Sequence, residues 1–131
     1  MIQGFATIEG TRAYAAKHTD IAFATLGGTG LQVSQAGFGC YRVSVGVAEH
    51  EAAMRLALQS GINLIDTSTN YADGDSERLV GQVLSAVVDN GELSRDQVVV
   101  VSKAGYLQGR NYTLSQKRKQ QGKGFEELVA L

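Results

Sequence analysis

Four consecutive valines at residues 98–101 constrain the fold of this chain more than any other stretch of it. A strand that is apolar at consecutive positions is covered on both faces, as strands of parallel sheets are. A second apolar run, 62–65, comes earlier, and between the two runs apolar residues recur at helical spacing at Leu79, Val80, Val83, Leu84 and Val87. Strands that alternate with helices predict parallel pairing through right-handed crossovers. The sequence therefore predicts an α/β protein.

A glycine-rich turn precedes these elements. In the stretch FATLGGTGLQVSQAGFG, residues 23–39, two short apolar runs flank Gly27, Gly28 and Gly30, which is typical of a β-hairpin. A phosphate-binding loop is the alternative interpretation. That loop needs a Gly-Lys-Ser/Thr ending or a helix that opens from the last glycine, and here another extended run follows. We favour the hairpin.

The remaining segments have weaker patterns. Residues 47–60 predict a helix, with one face formed by Ala53, Leu56, Ala57 and Ser60. Residues 1–131 are expected to form a single partial domain, in which residues 1–20, without a clear period, form an irregular arm and residues 21–131 form the α/β part. The polar stretch 106–124 is expected to be a solvated loop rather than a nucleic-acid-binding segment. Residues 124–131 resemble the start of a helix rather than its end.

Composition excludes several classes of function. The formal net charge is −1 and the pI is about 6.1, which disfavours nucleic-acid and anionic-membrane partners. No apolar run approaches the roughly 18 residues of a membrane span, and the first residues lack the features of a signal peptide. The single cysteine, Cys40, cannot form an internal disulfide. We expect a soluble cytoplasmic protein.

Chemically useful side chains follow the predicted strands. Asp66 ends one strand, Lys103 follows the valine run, and Tyr71 lies in the loop after Asp66. Gly39, Cys40 and Tyr41 follow an earlier extended run. Ligands collect at the carboxyl ends of parallel strands, because the loops after the strands all open on that side. These residues are therefore expected to meet at one edge of the sheet.

Tyrosine, lysine and aspartate together form a general acid. A neighbouring ammonium group favours the phenolate and so makes a phenol a better proton donor, and a carboxylate holds that ammonium in place. Such a group can protonate a carbonyl oxygen, while the hydride of a reduction must come from a cofactor. Taken singly, Asp66 could be a turn residue, Tyr71 a packed aromatic and Lys103 a solvated side chain. Their convergence favours the functional interpretation. No histidine or cysteine cluster has metal-ligand spacing, so no metal site is predicted.

At this point the sequence resembles the aldo-keto reductases. The resemblance lies in LGGTGLQVSQAGFGCYR, ALQSGINLIDTSTNYADGDSERLVGQVL and VVVVSKAGY, within residues 24–106. It implies the N-terminal portion of a (β/α)8 TIM barrel whose bottom is capped by the hairpin. It also implies reduction of an aldehyde or ketone by NADPH, with NADH possible, and Tyr71 as proton donor beside Lys103 and Asp66. Asp66, Gly39, Cys40 and Tyr41 match positions that line the nicotinamide and its ribose.

The sequence also departs from the family pattern. The family's fourth catalytic residue, a histidine, has no match, since His18 and His50 lie elsewhere in the sequence. A barrel of this type takes about 250 residues, and this chain supplies about three of its eight strands plus the hairpin. We therefore expect an incomplete barrel that is truncated and inactive as an isolated chain. An unpaired sheet edge at 98–102 would favour self-association.

Two other interpretations stay open. A barrel lyase could use Lys103 as a Schiff-base nucleophile at the end of its strand. A non-catalytic remnant or interaction module could use the exposed sheet edge. The carbonyl substrate cannot be predicted from the sequence.

Overall fold

The computed structural model describes residues 2–105 and 107–123. The helices are α1 (Ile8–Lys17), α2 (Ala48–Gln59), α3 (Asp75–Asp89) and α4 (Gly109–Gln120). The strands are β1 (Phe23–Thr25), β2 (Gln32–Ser34), β3 (Phe38–Gly39), β4 (Leu64–Asp66) and β5 (Val99–Val101). The predictions for Tyr106 and for 124–131 lie outside the described residues.

The strands form a hairpin and a small parallel sheet. β1 pairs with β2 antiparallel, and the turn between them is left-handed at Gly27 and Gly30, as the sequence predicts. β3, β4 and β5 form a parallel sheet in that order, with Phe38 opposite Ile65 and Ile65 opposite Val100. The predicted hairpin and parallel sheet are confirmed.

The core lies between this sheet and helices α2 and α3. The apolar face of α3 is buried as predicted, at Leu79, Val80, Val83, Leu84 and Val87. Ile65 and Val98 are completely buried in the same cluster. The helix begins after Gly74, whose φ of +91° is accessible to glycine, so neither Asp75 nor Ser76 is the N-cap.

The predicted buried face of α2 is wrong. Met54 and Leu58, four residues apart, are completely buried, whereas Leu56 is 63 % exposed. Two polar contacts are made by α2 in this orientation. Arg55 forms an ion pair with Glu92, and the Gln59 amide donates to the same carboxylate at 2.7 Å. Met54 and Leu58 put two large apolar side chains on one face, whereas the opposite face has only one, Leu56, among small residues, so burial of the first face removes more apolar surface from water.

The N-terminal arm is not irregular, because residues 8–17 form α1. Thr7 caps this helix, its hydroxyl oxygen accepting from the Gly10 amide at 2.9 Å. A Cβ on Gly10 would lie 2.5 Å from the Asp96 carboxylate, so glycine is needed for this approach. The Tyr14 hydroxyl donates to the Leu58 carbonyl and fastens α1 to the end of α2. The contacts of Gly10 and Tyr14 are tertiary, and none of the three produces a periodic apolar pattern.

The polar stretch expected to be a loop contains α4. Its residues include many good helix formers, and its last turn carries Lys117, Arg118 and Lys119 at the end of the helix where cations are favoured. The α4 N-terminus lies against the loop that follows β4, where the Arg110 amide donates to Asp73 at 3.2 Å. Propensity and capping therefore outweigh the lack of an apolar face.

Asn63 joins the hairpin to the amino end of the parallel sheet. It is completely buried, its Oδ1 accepts from the Ser34 amide at 2.9 Å, and its Nδ2 donates to the carbonyls of Gln32 and Gln97 at 3.0 and 3.1 Å. The hairpin thus lies where β4 and β5 begin. Within the described ranges, no helix combines the length and apolar character that crossing a bilayer requires.

Candidate active site

The carboxyl ends of the parallel strands are aligned by their register. Gly39 in β3 is opposite Asp66 in β4, and Asp66 is opposite Val101 in β5. The pairing continues one residue further, since the Cys40 amide donates to the Asp66 carbonyl and the Thr67 amide to the Val101 carbonyl, both at 2.8 Å. Residues that follow these strands therefore project from one edge of the sheet.

The Lys103 ammonium group lies at the centre of this edge. Its Nζ donates to Asp66 Oδ1 at 2.7 Å, to the Thr67 carbonyl at 2.9 Å and to the Tyr71 hydroxyl at 3.1 Å. An ammonium has three donors, so these acceptors use all of them. The hydrogen bonds that Lys103 donates to Asp66 and then to Tyr71 raise the pKa of Lys103 above its ordinary value. Lys103 is therefore held as a cation beside the phenol oxygen.

Tyr71 is presented by a strained loop. Ala72 and Asp73, which follow it, have φ angles of +48° and +53°, a conformation that non-glycine residues rarely adopt. Such strain costs about 1–3 kcal/mol a residue and persists where the surrounding structure imposes it. The Tyr71 ring also meets Tyr41 edge to face, with 5.2 Å between ring centroids. The backbone conformation of the loop and the ring contact with Tyr41 together fix the direction of the Tyr71 phenol.

A cleft of about 530 Å³ opens beside these groups. Its lining includes Tyr41, Arg42, Ser68, Tyr71, Lys103 and Gln108. The side chains of Asp66 and Lys103 are 45 % and 44 % exposed, so their pairing leaves them accessible from solvent. A small molecule in the cleft can reach the Tyr71 hydroxyl and the Lys103 ammonium together.

The residues predicted to bind a cofactor are only partly placed at this cleft. Tyr41 lines the cleft. Asp66 does not line it but accepts a hydrogen bond from Lys103, which does. A Cβ on Gly39 would meet no atom within 4 Å, so there is open space next to its backbone. The Cys40 thiol is completely buried in the core, and this burial, more than the nearby Asp66 charge, raises its pKa to about 11. That side chain cannot contact a ligand in the cleft.

Neither histidine belongs to the cleft. His18 ends α1, with its ring centroid 4.5 Å from that of Tyr14. His50, in the first turn of α2, accepts from the Ser44 amide at 3.2 Å. The described residues thus supply no histidine to the lining of the cleft. These residues also bring together no set of three or more His, Cys, Asp or Glu side chains that could hold a metal.

Sequence reasoning missed two buried hydroxyl groups behind the cleft, on Thr67 and Ser76. Their oxygens are 2.9 Å apart, and Ser76 Oγ also donates to the Cys40 carbonyl at 3.0 Å. Polar residues next to a strand end and a helix start are common turn formers, so their sequence positions alone do not indicate this contact. It depends on how β3, β4 and α3 pack.

Comparison with known proteins agrees with this geometry. The model of the aldo/keto reductase family matches residues 37–124, which include Asp66, Tyr71 and Lys103. The chain belongs to the aldo/keto reductase family. Over 116 residues this reductase-family chain is 35 % identical to L-galactose dehydrogenase of Arabidopsis thaliana, covering 84 % of the chain and 35 % of that relative. It is 35 % identical over 100 residues to the NADH-specific methylglyoxal reductase of Escherichia coli, covering 70 % and 29 %.

Solved structures show the same fold. An aldo-keto reductase from Bacillus halodurans, in its holo form, superposes with a TM-score of 0.57 at 23 % identity, covering 79 % of this chain and 37 % of that one. A thermostable aldo-keto reductase crystallised with epalrestat gives a TM-score of 0.51 at 22 % identity, covering 63 % and 30 %. The family member described here thus spans about a third of the length of its relatives. Its fold is that of the family's α/β barrel, and the described residues contain three parallel strands and no closed barrel.

Proposed function

We propose that this chain provides the proton-donating part of a carbonyl reductase active site, with Tyr71 as the proton donor. The contact that carries the proposal is the 3.1 Å hydrogen bond between Lys103 Nζ and the Tyr71 hydroxyl, made while the same ammonium is paired with Asp66 at 2.7 Å. A phenol that accepts a hydrogen bond from a cation can release its own proton to a substrate. This is the chemistry that carbonyl reduction requires.

The three side chains divide the work. As negative charge develops on a carbonyl oxygen, the Tyr71 O–H donates its proton to that oxygen. The Lys103 ammonium, 3.1 Å away, stabilises the phenolate that remains. Asp66 keeps the ammonium charged and directed, as the raised pKa of Lys103 indicates. In the reverse direction the same phenolate accepts the proton of an alcohol.

The residues around the cleft fit the nicotinamide end of a dinucleotide. When bound, the cofactor supplies the hydride that no side chain can supply. Open space beside Gly39, the exposed Tyr41 ring and the accessible Asp66 carboxylate offer a flat wall and an acceptor for a ribose hydroxyl. NADPH is the predicted cofactor, with NADH as the alternative. Both cofactors are tested below, because one relative is named as an NADH-specific enzyme.

The Schiff-base alternative is less compatible with the site. A lysine nucleophile must lose its proton, and catalytic lysines of this kind are usually activated by a lowered pKa. Here Asp66 and Tyr71 raise the pKa of Lys103 and engage it with three acceptors. A proton-transfer role suits a cation in these surroundings. The non-catalytic interpretation remains the second candidate, and the cofactor experiment below separates the two.

The first experiment measures cofactor binding and turnover by the purified chain. Calorimetry with NADPH and with NADH tests binding. The loss of absorbance at 340 nm with methylglyoxal tests reduction, and its rise with NADP⁺ or NAD⁺ and an aldose tests the reverse, oxidative direction. The names of the relatives motivate these two substrate classes. Because the chain spans about a third of the length of its relatives, we expect saturable binding with little or no turnover. Any turnover that the chain does show should be lowered about 10²–10⁴-fold by Tyr71→Phe, the usual contribution of a general acid.

Tyr112→Phe is the matched control. Tyr112 lies in α4, is 53 % exposed and does not line the cleft, so removal of its hydroxyl should leave both binding and turnover unchanged. Binding without turnover would support the cofactor part of the site and reject an active isolated chain. Equal turnover by wild type and Tyr71→Phe would refute the role of Tyr71, and absence of any binding would favour the non-catalytic interpretation.

A further inference from the structure

We propose that the buried hydroxyl pair of Thr67 and Ser76 positions Tyr71 against Lys103. Thr67 is the first residue after β4, and Ser76 is the second residue of α3. The segment between them, residues 67–76, carries Tyr71 and is called the Tyr71 loop below. This inference rests on the proposed function, since it assigns positioning residues to the same site.

The pair closes the Tyr71 loop at its base. The two hydroxyl oxygens are 2.9 Å apart, although nine positions separate the residues in sequence. Both side chains lie in the interior, with 2 % exposure for Thr67 and none for Ser76. A hydrogen bond that water cannot replace is more costly to break than one on the surface. Both ends of the loop are therefore fixed at one point in the core.

The direction of these hydrogen bonds follows from the proton count. A hydroxyl has one proton to donate, and Ser76 donates it to the Cys40 carbonyl at 3.0 Å. Thr67 must therefore be the donor to Ser76 Oγ. The result is a chain of two hydrogen bonds, Thr67 to Ser76 to Cys40, which links the carboxyl ends of β4 and β3 through the first turn of α3.

Thr67 also couples this chain to Lys103. Its amide donates to the Val101 carbonyl at 2.8 Å, and its carbonyl accepts from Lys103 Nζ at 2.9 Å. Thr67, which anchors the start of the Tyr71 loop, thus also binds Lys103, the hydrogen-bond partner of Tyr71. A shift of Thr67 would change the distance from Tyr71 to Lys103 from both sides.

The hydroxyl pair of Thr67 and Ser76 matters because the Tyr71 loop is strained. The left-handed conformations of Ala72 and Asp73 would relax if the loop were free, since each is disfavoured for a side chain. The hydroxyl pair opposes that relaxation, because both ends of the loop are anchored in the core. Neither hydroxyl lines the cleft, so both act through the position of Tyr71.

The test follows the protonation of Lys103 in the full chain, without cofactor or substrate. Competitive labelling of amines, followed by mass spectrometry of the Lys103 peptide, gives its reactivity against pH relative to Lys17. The hydrogen bonds that Lys103 donates to Asp66 and Tyr71 raise its pKa, so withdrawal of Tyr71 shifts the labelling profile of Lys103 to lower pH. Tyr71→Phe provides the reference for the loss of that hydroxyl.

We expect Thr67→Val to shift the profile in the same direction as Tyr71→Phe, and Thr67→Ser, which keeps the hydroxyl, to leave it in place. In the Tyr71→Phe background, Thr67→Val should cause a smaller shift than in the wild-type chain, because the part of its effect that passes through Tyr71 is already lost. Ser76→Ala should reproduce the Thr67→Val shift, and it serves as the test variant if Thr67→Val does not fold.

Thr11→Val is the matched control for stability. Thr11 is completely buried in α1, and its hydroxyl donates to the Thr7 carbonyl at 2.8 Å. It should lower the thermal midpoint and leave the Lys103 profile unchanged. If Thr67→Val and Ser76→Ala lower the midpoint while the profile also stays unchanged, the hydroxyl pair is structural and the proposal is wrong. Because labelling needs neither cofactor nor turnover, the cofactor-binding and turnover experiment can refute the proposed function without deciding this result.

Discussion

Replacement of Asn63 by alanine should remove most of the attachment between the hairpin and the parallel sheet. The Asn63 side chain makes three hydrogen bonds of 2.9–3.1 Å and is completely buried. The substitution deprives the Ser34 amide and the carbonyls of Gln32 and Gln97 of this partner. A buried polar group left unsatisfied costs about 1–3 kcal/mol.

The expected loss follows from these contacts. Three partners at the lower end of that range give a loss of about 3–5 kcal/mol in the free energy of unfolding, before relaxation or water entry reduces it. The stability of a whole domain is about 5–15 kcal/mol. Asn63→Ala should therefore abolish a large part of the stability that this chain has. Urea unfolding followed by circular dichroism measures the loss, and hydrogen exchange of the Ser34 amide locates it.

Two variants sharpen the test. Asn63→Asp keeps the acceptor for the Ser34 amide but turns the second oxygen toward two carbonyls, so its loss should be smaller at low pH, where a protonated carboxyl can donate. Asn111→Ala, at an exposed position in α4, should change stability by less than about 0.5 kcal/mol. A loss below about 1 kcal/mol for Asn63→Ala would refute the view that the hairpin is attached through this side chain.

Three further predictions concern packing, titration and the loop beside the site. Leu58→Ala should cost about 2–5 kcal/mol because Leu58 is completely buried, whereas Leu56→Ala should cost less than about 0.5 kcal/mol, and equal losses in urea unfolding would contradict the observed face of α2. The Cys40 thiol should resist a thiol reagent until the chain unfolds. Burial raises the pKa of this thiol to about 11, so the folded state keeps a proton that the unfolded state releases near pH 9. The free energy of unfolding should therefore fall by about 2–3 kcal/mol as the pH rises from 9 to 11. A decline that Cys40→Ala does not reduce would rule this out. Gly109→Ala should release the start of α4 from Asp73, since φ is +56° there and a Cβ would lie 1.7 Å from the carboxylate; faster tryptic cleavage within α4 is expected, and an unchanged rate would contradict this contact.

The elements that could be predicted from the sequence are those whose buried residues follow one another, or recur at regular spacing, within a short window. The valine run and the apolar spacing of α3 depend on which face meets the core, and a short window contains that information. The same holds for Asp66 and Lys103, because a residue after a buried parallel strand lies at the carboxyl edge whatever the loops do. The hydrogen bond from Lys103 to Tyr71 agrees with the position predicted for Tyr71.

The features that could not be predicted depend on contacts between distant segments. α1 is held by Thr7, by the approach of Gly10 to Asp96 and by Tyr14, and none of these produces an amphipathic stripe. The face of α2 was mispredicted because large apolar residues occur on both sides of that helix, and the side with two of them, Met54 and Leu58, is the buried one. Hydrogen bonds between buried polar groups likewise have no sequence period.

The two ends of the parallel sheet carry opposite demands. At the amino end, Asn63 is completely buried and its side-chain donors and acceptor meet backbone partners, which makes that end rigid. At the carboxyl end, a half-exposed ion pair of Asp66 and Lys103 lies beside a loop with two left-handed non-glycine residues. A surface ion pair contributes little to stability, roughly 0–1 kcal/mol, and cannot offset that strain. Stability must therefore come from the buried end and from α3, and the open end is free to keep a reactive geometry that folding alone would not select.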